Sequence, residues 1–272
     1  MKANTIEVRG RKVEVLEQGQ GRPLVYLHGF ADVHAVTPEL RSFHHALAGH
    51  ARLLAPAHPG IGATADLDQG YGIGDVVFHY LEVLDALGLE TFDLVGHCVG
   101  GWIAAEIAVT IPERVGRLAL IGASGLFVSG EHIADIFMHA QADRGTDYSS
   151  LRHMLFADAK AEMAQRYFPD RRGEIDAELR RYQMLRFASF IGFKPPYLYH
   201  RPLRERLQRA RMPAAVIWGE ADHFVPRAHG QAYADGLVGA SGKLAIVAGT
   251  GHSAPLEQPE ATAALVQAVL AR

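Results

Sequence analysis

Residues 92–102 read Phe92-Asp-Leu-Val-Gly-His-Cys98-Val-Gly-Gly-Trp102, an apolar strand pattern that passes into a helical pattern through a turn flanked by glycines. This Gly-x-nucleophile-x-Gly layout is that of a nucleophile elbow, a sharp turn that pushes one reactive side chain into a pocket. Glycine is required on either side of Cys98 because a Cβ would clash in so tight a turn. The helix expected to begin at Val99 directs its first N–H groups at the sulfur, which favours a thiolate. The pattern therefore predicts that Cys98, the single cysteine of the chain, is a nucleophile.

The composition of the 272-residue chain is that of an ordinary globular enzyme, with 49% hydrophobic and 21% charged residues. A formal net charge of −3 argues against nucleic acid or an anionic membrane as a partner. One cysteine excludes an intramolecular disulfide, and residues 1–9 alternate like a strand instead of forming the apolar segment of a signal peptide. The longest apolar run, residues 118–128, is shorter than the ~20 residues that cross a membrane. We expect a cytoplasmic protein that acts on a small molecule, and a homodimer is compatible with the sequence.

Short apolar runs alternate with helical patterns along most of the chain. Segments 5–8 and 13–16 are expected to pair antiparallel. Runs typical of buried strands follow at residues 24–27, 52–55, 92–95, 118–121, 214–218 and 244–247. Helical patterns occupy residues 38–48, 76–87, 99–111, 227–237 and 259–271. Such alternation predicts an α/β fold with a mostly parallel, doubly wound sheet of about eight strands.

The alternation is interrupted between residues 124 and 211, which are helix-like and rich in Met, Phe, Tyr and Arg. An insert of this length between two strands predicts a helical cap over a core made of residues 1–123 and 212–272. A second small helical domain with its own core is the alternative. The apolar side chains that could face a substrate are Phe127, Phe137, Met138, Met184, Phe187, Phe190 and Tyr197, and the arginines that could bind a substrate carboxylate are Arg144, Arg152, Arg181 and Arg186.

Four features, in this order along the chain, resemble the α/β-hydrolase fold superfamily over nearly the whole sequence. They are His28-Gly29-Phe30 after a strand, the elbow at Cys98, the loop 218–226 and the loop 249–259. The resemblance implies an eight-stranded fold of that family with an inserted helical cap. It also implies the chain order nucleophile, acid, histidine that characterises the superfamily.

The resemblance assigns a role to one residue in each feature. Cys98 is the nucleophile, His252 the general base and Asp222 the acid that orients it, with Glu220 as the competitor for the acid. The backbone N–H groups of Phe30 and Val99 correspond to the oxyanion hole. No cofactor or metal is expected, because the sequence contains neither a complete dinucleotide-binding glycine motif nor the histidine spacing of a metal site.

The function implied is hydrolysis of a carboxylic ester, lactone or related acyl substrate through a thioester on Cys98. Carbon–carbon bond hydrolysis and acyl transfer by the same fold remain alternatives. The first is disfavoured because such enzymes usually carry Ser-Met-Gly-Gly at the elbow and an aromatic residue after the histidine, where this chain has Val99 and Ser253. Cysteine departs from the commoner serine, so a replaced serine is a third alternative. A non-catalytic ligand-binding protein is the fourth.

Overall fold

An eight-stranded sheet forms the centre of the computed structural model, which describes residues 1–30, 38–67, 71–140, 148–169, 173–192 and 197–272. The strands are β1 Lys2–Val8, β2 Arg11–Gln18, β3 Pro23–Leu27, β4 Arg52–Pro56, β5 Phe92–His97, β6 Val115–Ile121, β7 Ala214–Gly219 and β8 Leu244–Val247. Their order across the sheet is β1-β2-β4-β3-β5-β6-β7-β8. The pairs β1–β2 and β2–β4 are antiparallel and the other five are parallel. The predicted mostly parallel sheet of eight strands is confirmed.

Helices cover both faces of this sheet. In the described residues they are α1 Ser42–Ala48, α2 Ile73–Ala86, α3 Val99–Thr110, α4 Ile136–His139, α5 Ser149–Leu155, α6 Glu162–Tyr167, α7 Ile175–Gly192, α8 Arg201–Arg206, α9 Arg227–Gly236, α10 Ala254–Glu257 and α11 Pro259–Leu270. Short 3-10 helices lie at Leu207–Arg209 and Val238–Ala240. None of the helices in the described ranges is long and apolar enough to cross a membrane.

Strand β3 shows why the sheet is covered on both sides. Its side chains alternate, so that Val25 and Leu27 belong to the apolar cluster that contains α2 and α3. Leu24 and Tyr26 belong to a second cluster, which contains α1 and α11. A strand that is apolar at every position is thus buried on two faces, as expected for a doubly wound sheet.

Between β6 and β7 the described residues hold five helices, α4 to α8. These helices agree with the helix-like character that the sequence predicts for residues 124–211. Helix α7 packs on the loop that follows β4, with the Phe187 ring stacked on His58 at 4.6 Å between centroids. The exact division into a core and a 124–211 cap stays a prediction.

Strand register brings the candidate site residues to one edge of the sheet. Leu27 pairs with Gly96, His97 with Ile121, and Ile121 with Ile217. The parallel strands β3, β5, β6 and β7 therefore end side by side, and their following loops meet there. In open α/β sheets this carboxyl edge is where ligands bind.

Candidate active site

Cys98 lies between β5 and α3 in a backbone conformation that residues other than glycine rarely adopt, with φ 57° and ψ −121°. Its N–H donates to Ile121 O at 2.9 Å, and its carbonyl accepts from Ser124 N at 3.3 Å. The cysteine is 1% exposed. The end of β6 thus holds the strained turn in place, as is required for such strain to persist.

The glycines around Cys98 are needed because other backbone segments touch them. A Cβ on Gly96 would overlap the backbone of Gly100, and one on Gly100 would overlap the backbone of Leu27. A Cβ on Gly101 would lie 2.6 Å from the Cβ of Ala123. The structure therefore shows the steric reason expected for this glycine pattern. The absence of a side chain at Gly100 also lets the end of β3 pack directly against the start of α3.

His252 and Asp222 form a buried pair, with His252 Nδ1 2.8 Å from Asp222 Oδ2. Their side chains are 2% and 1% exposed. The other carboxylate oxygen, Oδ1, accepts from the N–H groups of Phe224 and Val225 at 2.9 Å each. Because a carboxylate only accepts, Nδ1 carries the proton and Nε2 keeps its lone pair. Nε2 is buried and has no hydrogen-bond partner in the described part of the chain.

The backbone of His252 is also held. Nε2 of His97, the residue before Cys98, donates to His252 O at 2.9 Å. The following N–H, of Ser253, donates to Leu155 O at 2.9 Å, and the preceding one, of Gly251, donates to Glu257 Oε2 at 2.8 Å. These contacts of His97 and Glu257 were not expected from the sequence.

The loop after β3 lies against Cys98. A Cβ on Gly29 would be 3.0 Å from the Cβ of Cys98 and 2.8 Å from Nδ1 of His97. Among the described residues, no acceptor takes the N–H of Phe30 or of Val99. Both N–H groups are available to a substrate oxygen, which is what the oxyanion assignment requires.

A network of buried polar groups supports this loop from below. His28 Nδ1 donates to Gly29 O at 2.7 Å, while His28 Nε2 accepts from the N–H of His58 at 3.0 Å. His58 Nε2 donates to His28 O at 2.8 Å, and its Nδ1 accepts from the Tyr80 hydroxyl. Burial raises the pKa of Tyr80 well above its usual value, so the hydroxyl stays a donor. The sequence carried no signal for His58, since its partners are distant along the chain.

Glu220, the competitor for the acid, is exposed and accepts from Gly249 N at 2.9 Å. Asp222 is the carboxylate that reaches His252. Of the apolar residues proposed to face a substrate, Met138 and Tyr197 are 62% and 57% exposed, whereas Met184 and Phe187 are buried.

Three of the candidate arginines have partners within the protein. Arg152 donates to Phe168 O at 2.6 Å, Arg181 pairs with Glu178 at 3.3 Å, and Arg186 pairs with Asp66. The fourth, Arg144, lies outside the described residues.

Phe224 contacts both His252 and the wall of a cavity of about 330 Å³. Its ring meets His252 edge-on at 4.9 Å and lies 6.3 Å from the Phe30 ring. Its carbonyl accepts from the N–H of Ala134, which lines the cavity, at 2.9 Å. The other walls are mostly apolar and include Leu126. No group of three or more His, Cys, Asp or Glu that could hold a metal ion occurs within the described ranges.

The chain is similar to a family model and to known proteins over different shares of its length. A family model described as "alpha/beta hydrolase fold" matches residues 22–259. The acetyltransferase component of the acetoin cleaving system of Pseudomonas putida is 29% identical over 265 residues, covering 93% of this chain and 65% of that protein. A 2-hydroxymuconate semialdehyde hydrolase of a Pseudomonas species is 37% identical over 125 residues, covering 43% of this chain and 42% of that protein. The matches thus span less than two thirds of either relative.

A solved structure adds support for the fold. The meta-cleavage product hydrolase from Pseudomonas fluorescens superposes with a TM-score of 0.74 and 21% identity, covering 98% of this chain and 97% of that one. Because the family model spans the sheet from just before β3 to the start of α11, the chain belongs to the α/β-hydrolase fold family.

Proposed function

We propose that this protein hydrolyses a carboxylic ester, lactone or related acyl substrate with Cys98 as nucleophile, His252 as general base and Asp222 as its orienting acid. The observation that carries the proposal is the buried His252–Asp222 pair, whose remaining nitrogen has a free lone pair. A histidine fixed in this tautomer at the edge of the sheet that carries the elbow is suited to take a proton from a thiol.

The steps follow from this arrangement. Nε2 of His252 takes the thiol proton, and the sulfur of Cys98 bonds to the acyl carbon. The carbonyl oxygen becomes an oxyanion that accepts from the N–H groups of Phe30 and Val99, each donor being worth about 2.7–4 kcal/mol. The oxyanion collapses, the bond to the leaving group breaks, and that group departs with the proton from Nε2. Water then gives a proton to Nε2 and attacks the thioester, which releases the acid and restores the thiol.

The surroundings of the site favour an uncharged acyl group. Arg152, Arg181 and Arg186 are each engaged by a carbonyl or carboxylate of the protein. Recruiting one of them to a substrate carboxylate would break an existing bond. The Phe224 ring lies beside His252, and the Phe30 ring lies next to Phe224. Together with the mostly apolar cavity nearby, these rings suit a small or medium apolar group.

Carbon–carbon bond hydrolysis is the second candidate, and similarity to relatives named as 2-hydroxymuconate semialdehyde hydrolases favours it. Cys98 would then attack a ketone carbonyl instead of an ester, and the carbon–carbon bond would break as the carbon leaving group takes the proton from His252. Acyl transfer is the third, because a thioester also reacts with nucleophiles other than water, and one relative is named as an acetyltransferase component.

The test is turnover of a p-nitrophenyl ester panel by the protein, by Cys98→Ala and by Cys98→Ser, before and after iodoacetamide. Since the chain has one cysteine, alkylation modifies no other thiol. We expect steady turnover that both alkylation and Cys98→Ala abolish. A single burst by the protein, together with fast turnover by Cys98→Ser, would mean that the cysteine replaces a serine. No turnover by any form would reject ester hydrolysis. Binding of a ligand without turnover, unchanged in Cys98→Ala, would identify a binding protein.

A further inference from the structure

The histidine loop is bonded to the segment that follows α5. Ser253 N donates to Leu155 O, the last residue of that helix, at 2.9 Å. Two residues further along, Ala157 N donates to Glu257 Oε1 at 2.8 Å. The backbone approaches so closely that a Cβ on Gly251 would lie 2.6 Å from the nitrogen of Ala157. Residues 155–157 therefore lie directly against the residues that flank His252.

Glu257 bonds both parts of this contact, the segment after α5 with one carboxylate oxygen and the histidine loop with the other. Oε1 accepts from Ala157 N and Oε2 accepts from Gly251 N, both at 2.8 Å. Hydrogen bonds to an ionised carboxylate are about twice as strong as neutral ones. The carboxylate is half-buried, and burial, together with the charges of Asp222 and Asp158, raises the pKa of Glu257. A carboxylate in this position therefore carries a desolvation cost that its two hydrogen bonds offset only in part.

We propose that Glu257 is a positioning residue for His252, which it serves by fixing the N–H before the histidine to the segment 155–157. The inference rests on the proposed function, because it takes His252 as the base for Cys98. The side chain of His252 is held by Asp222, its carbonyl by His97 and its next N–H by Leu155. Glu257 supplies the remaining restraint, so that Nε2 keeps the position from which it takes the proton of Cys98.

This arrangement couples the base to the helical insert. A displacement of residues 155–157 pulls on both N–H groups that flank His252, one through Leu155 and one through Glu257. The catalytic rate therefore depends on the position of the segment after α5, and substrate affinity does so to a smaller extent.

The chain offers a matched control for Glu257. Glu220 also accepts a backbone N–H of the histidine loop, that of Gly249 at 2.9 Å, but from the exposed side. Glu257→Gln keeps the size of the side chain and replaces one accepting oxygen by an NH₂ group that only donates. Glu220→Gln makes the same exchange outside the contact with residues 155–157. Glu257→Ala removes both acceptors.

The experiment compares these variants by ester kinetics and by the pH dependence of Cys98 alkylation with iodoacetamide, which needs no substrate. We expect Glu257→Gln and Glu257→Ala to lower kcat about 10- to 100-fold with KM changed less than about twofold, as small misplacements of catalytic groups do. The apparent pKa of alkylation should move toward the ~8.5 of a free cysteine as the thiolate loses the aligned imidazole. Glu220→Gln should leave both readouts as in the parent.

The outcomes separate the two proposals. An unchanged alkylation profile in a folded Glu257→Gln protein overturns the positioning role. So does an equal change in Glu220→Gln, because the effect would then be general to the loop. If the parent hydrolyses no ester, the proposed function fails, and the alkylation profile still decides the role of Glu257. If Glu257→Ala does not fold, the isosteric glutamine variant supplies the answer.

Discussion

The imidazole of His97 donates from Nε2 to the backbone carbonyl of His252 at 2.9 Å, across 155 positions of sequence. His97 ends β5 and immediately precedes Cys98, so the strand that leads to Cys98 is bonded directly to the backbone of the proposed base. The two histidine rings lie 5.3 Å apart between centroids. This bond thus restrains His252 relative to Cys98 before a substrate binds.

Replacing His97 by leucine should separate the two groups. The variant loses the donor and leaves the buried carbonyl of His252 without it, at a cost of about 1–3 kcal/mol in the free energy of unfolding. We expect kcat to fall about 10- to 100-fold, because the base is no longer held at its distance from Cys98. His97→Gln is the control, since its amide NH₂ can reach the same carbonyl. Equal kcat values for the two variants would contradict the positioning argument.

Replacing Asp222 by asparagine tests the tautomer of His252. The Asn amide can donate to Nδ1, which moves the imidazole proton to Nε2 and removes the lone pair that accepts the thiol proton. We expect kcat to fall by about 10⁴, as for a triad histidine held in the wrong tautomer. Stability should change little because the shape is retained. Glu220→Asn provides the comparison. A similar loss of kcat in that variant would mean that Glu220, and not Asp222, is the acid that orients His252.

The elbow glycines should be intolerant of a methyl group. In Gly96→Ala the new Cβ overlaps the backbone of Gly100, and neither the strand nor the helix can move without displacing Cys98. We expect loss of several kcal/mol in the free energy of unfolding, or no folded protein. Gly74→Ala in α2 meets no neighbouring atom and should be neutral or stabilising by up to about 1 kcal/mol. Chemical denaturation of the two variants measures the difference.

The parts of the site that the sequence predicts are those specified locally. The elbow follows from glycines within a few positions of Cys98, and strands such as β3 follow from continuous apolar runs. The superfamily's chain order of nucleophile, acid and histidine selected Asp222 and His252, which the structure places 2.8 Å apart. Their catalytic roles stay a prediction until activity is measured.

The parts that the sequence does not predict depend on distant contacts. The bond from Ala157 to Glu257 spans 100 positions, and that from His58 to His28 spans 30. No local sequence pattern around Glu257 or His58 distinguishes a residue with such distant partners from one on a solvated surface.

The free energy of unfolding should decrease as the pH is lowered, because of the buried His79. Burial, with a smaller contribution from Arg11, lowers the pKa of His79 from its usual 6.5 to about 4, and its Nε2 has no partner among the described residues. Between these two values the unfolded chain binds a proton that the folded protein does not. Stability due to His79 is therefore complete above pH 6.5 and is lost as the pH falls toward 4, by at most ~3 kcal/mol.

The measurement is the free energy of unfolding of the parent and of His79→Leu across this pH range. The leucine variant should show a shallower decline with falling pH, because it removes the group that binds the extra proton on unfolding. The same exchange at the exposed His50 is the control. An identical pH dependence in the parent and His79→Leu proteins would refute the assignment.

The attachment of helix α7 should depend on Phe187. Its ring is 2% exposed and stacks on His58 with an interplanar angle of 3°, and His58 in turn bonds to His28 in the loop that follows β3. Phe187→Ala should cost about 3–5 kcal/mol of unfolding free energy, the usual range for a buried phenylalanine. It should also lower kcat, because the loop that bears Phe30 loses part of its support.

Phe78, which is 55% exposed on α2, gives a matched Phe→Ala control expected to change stability by less than about 0.5 kcal/mol. If Phe187→Ala unfolds like the parent yet loses activity, the stack orders the loop without stabilising the fold; if both stability and activity are kept, the stack contributes to neither.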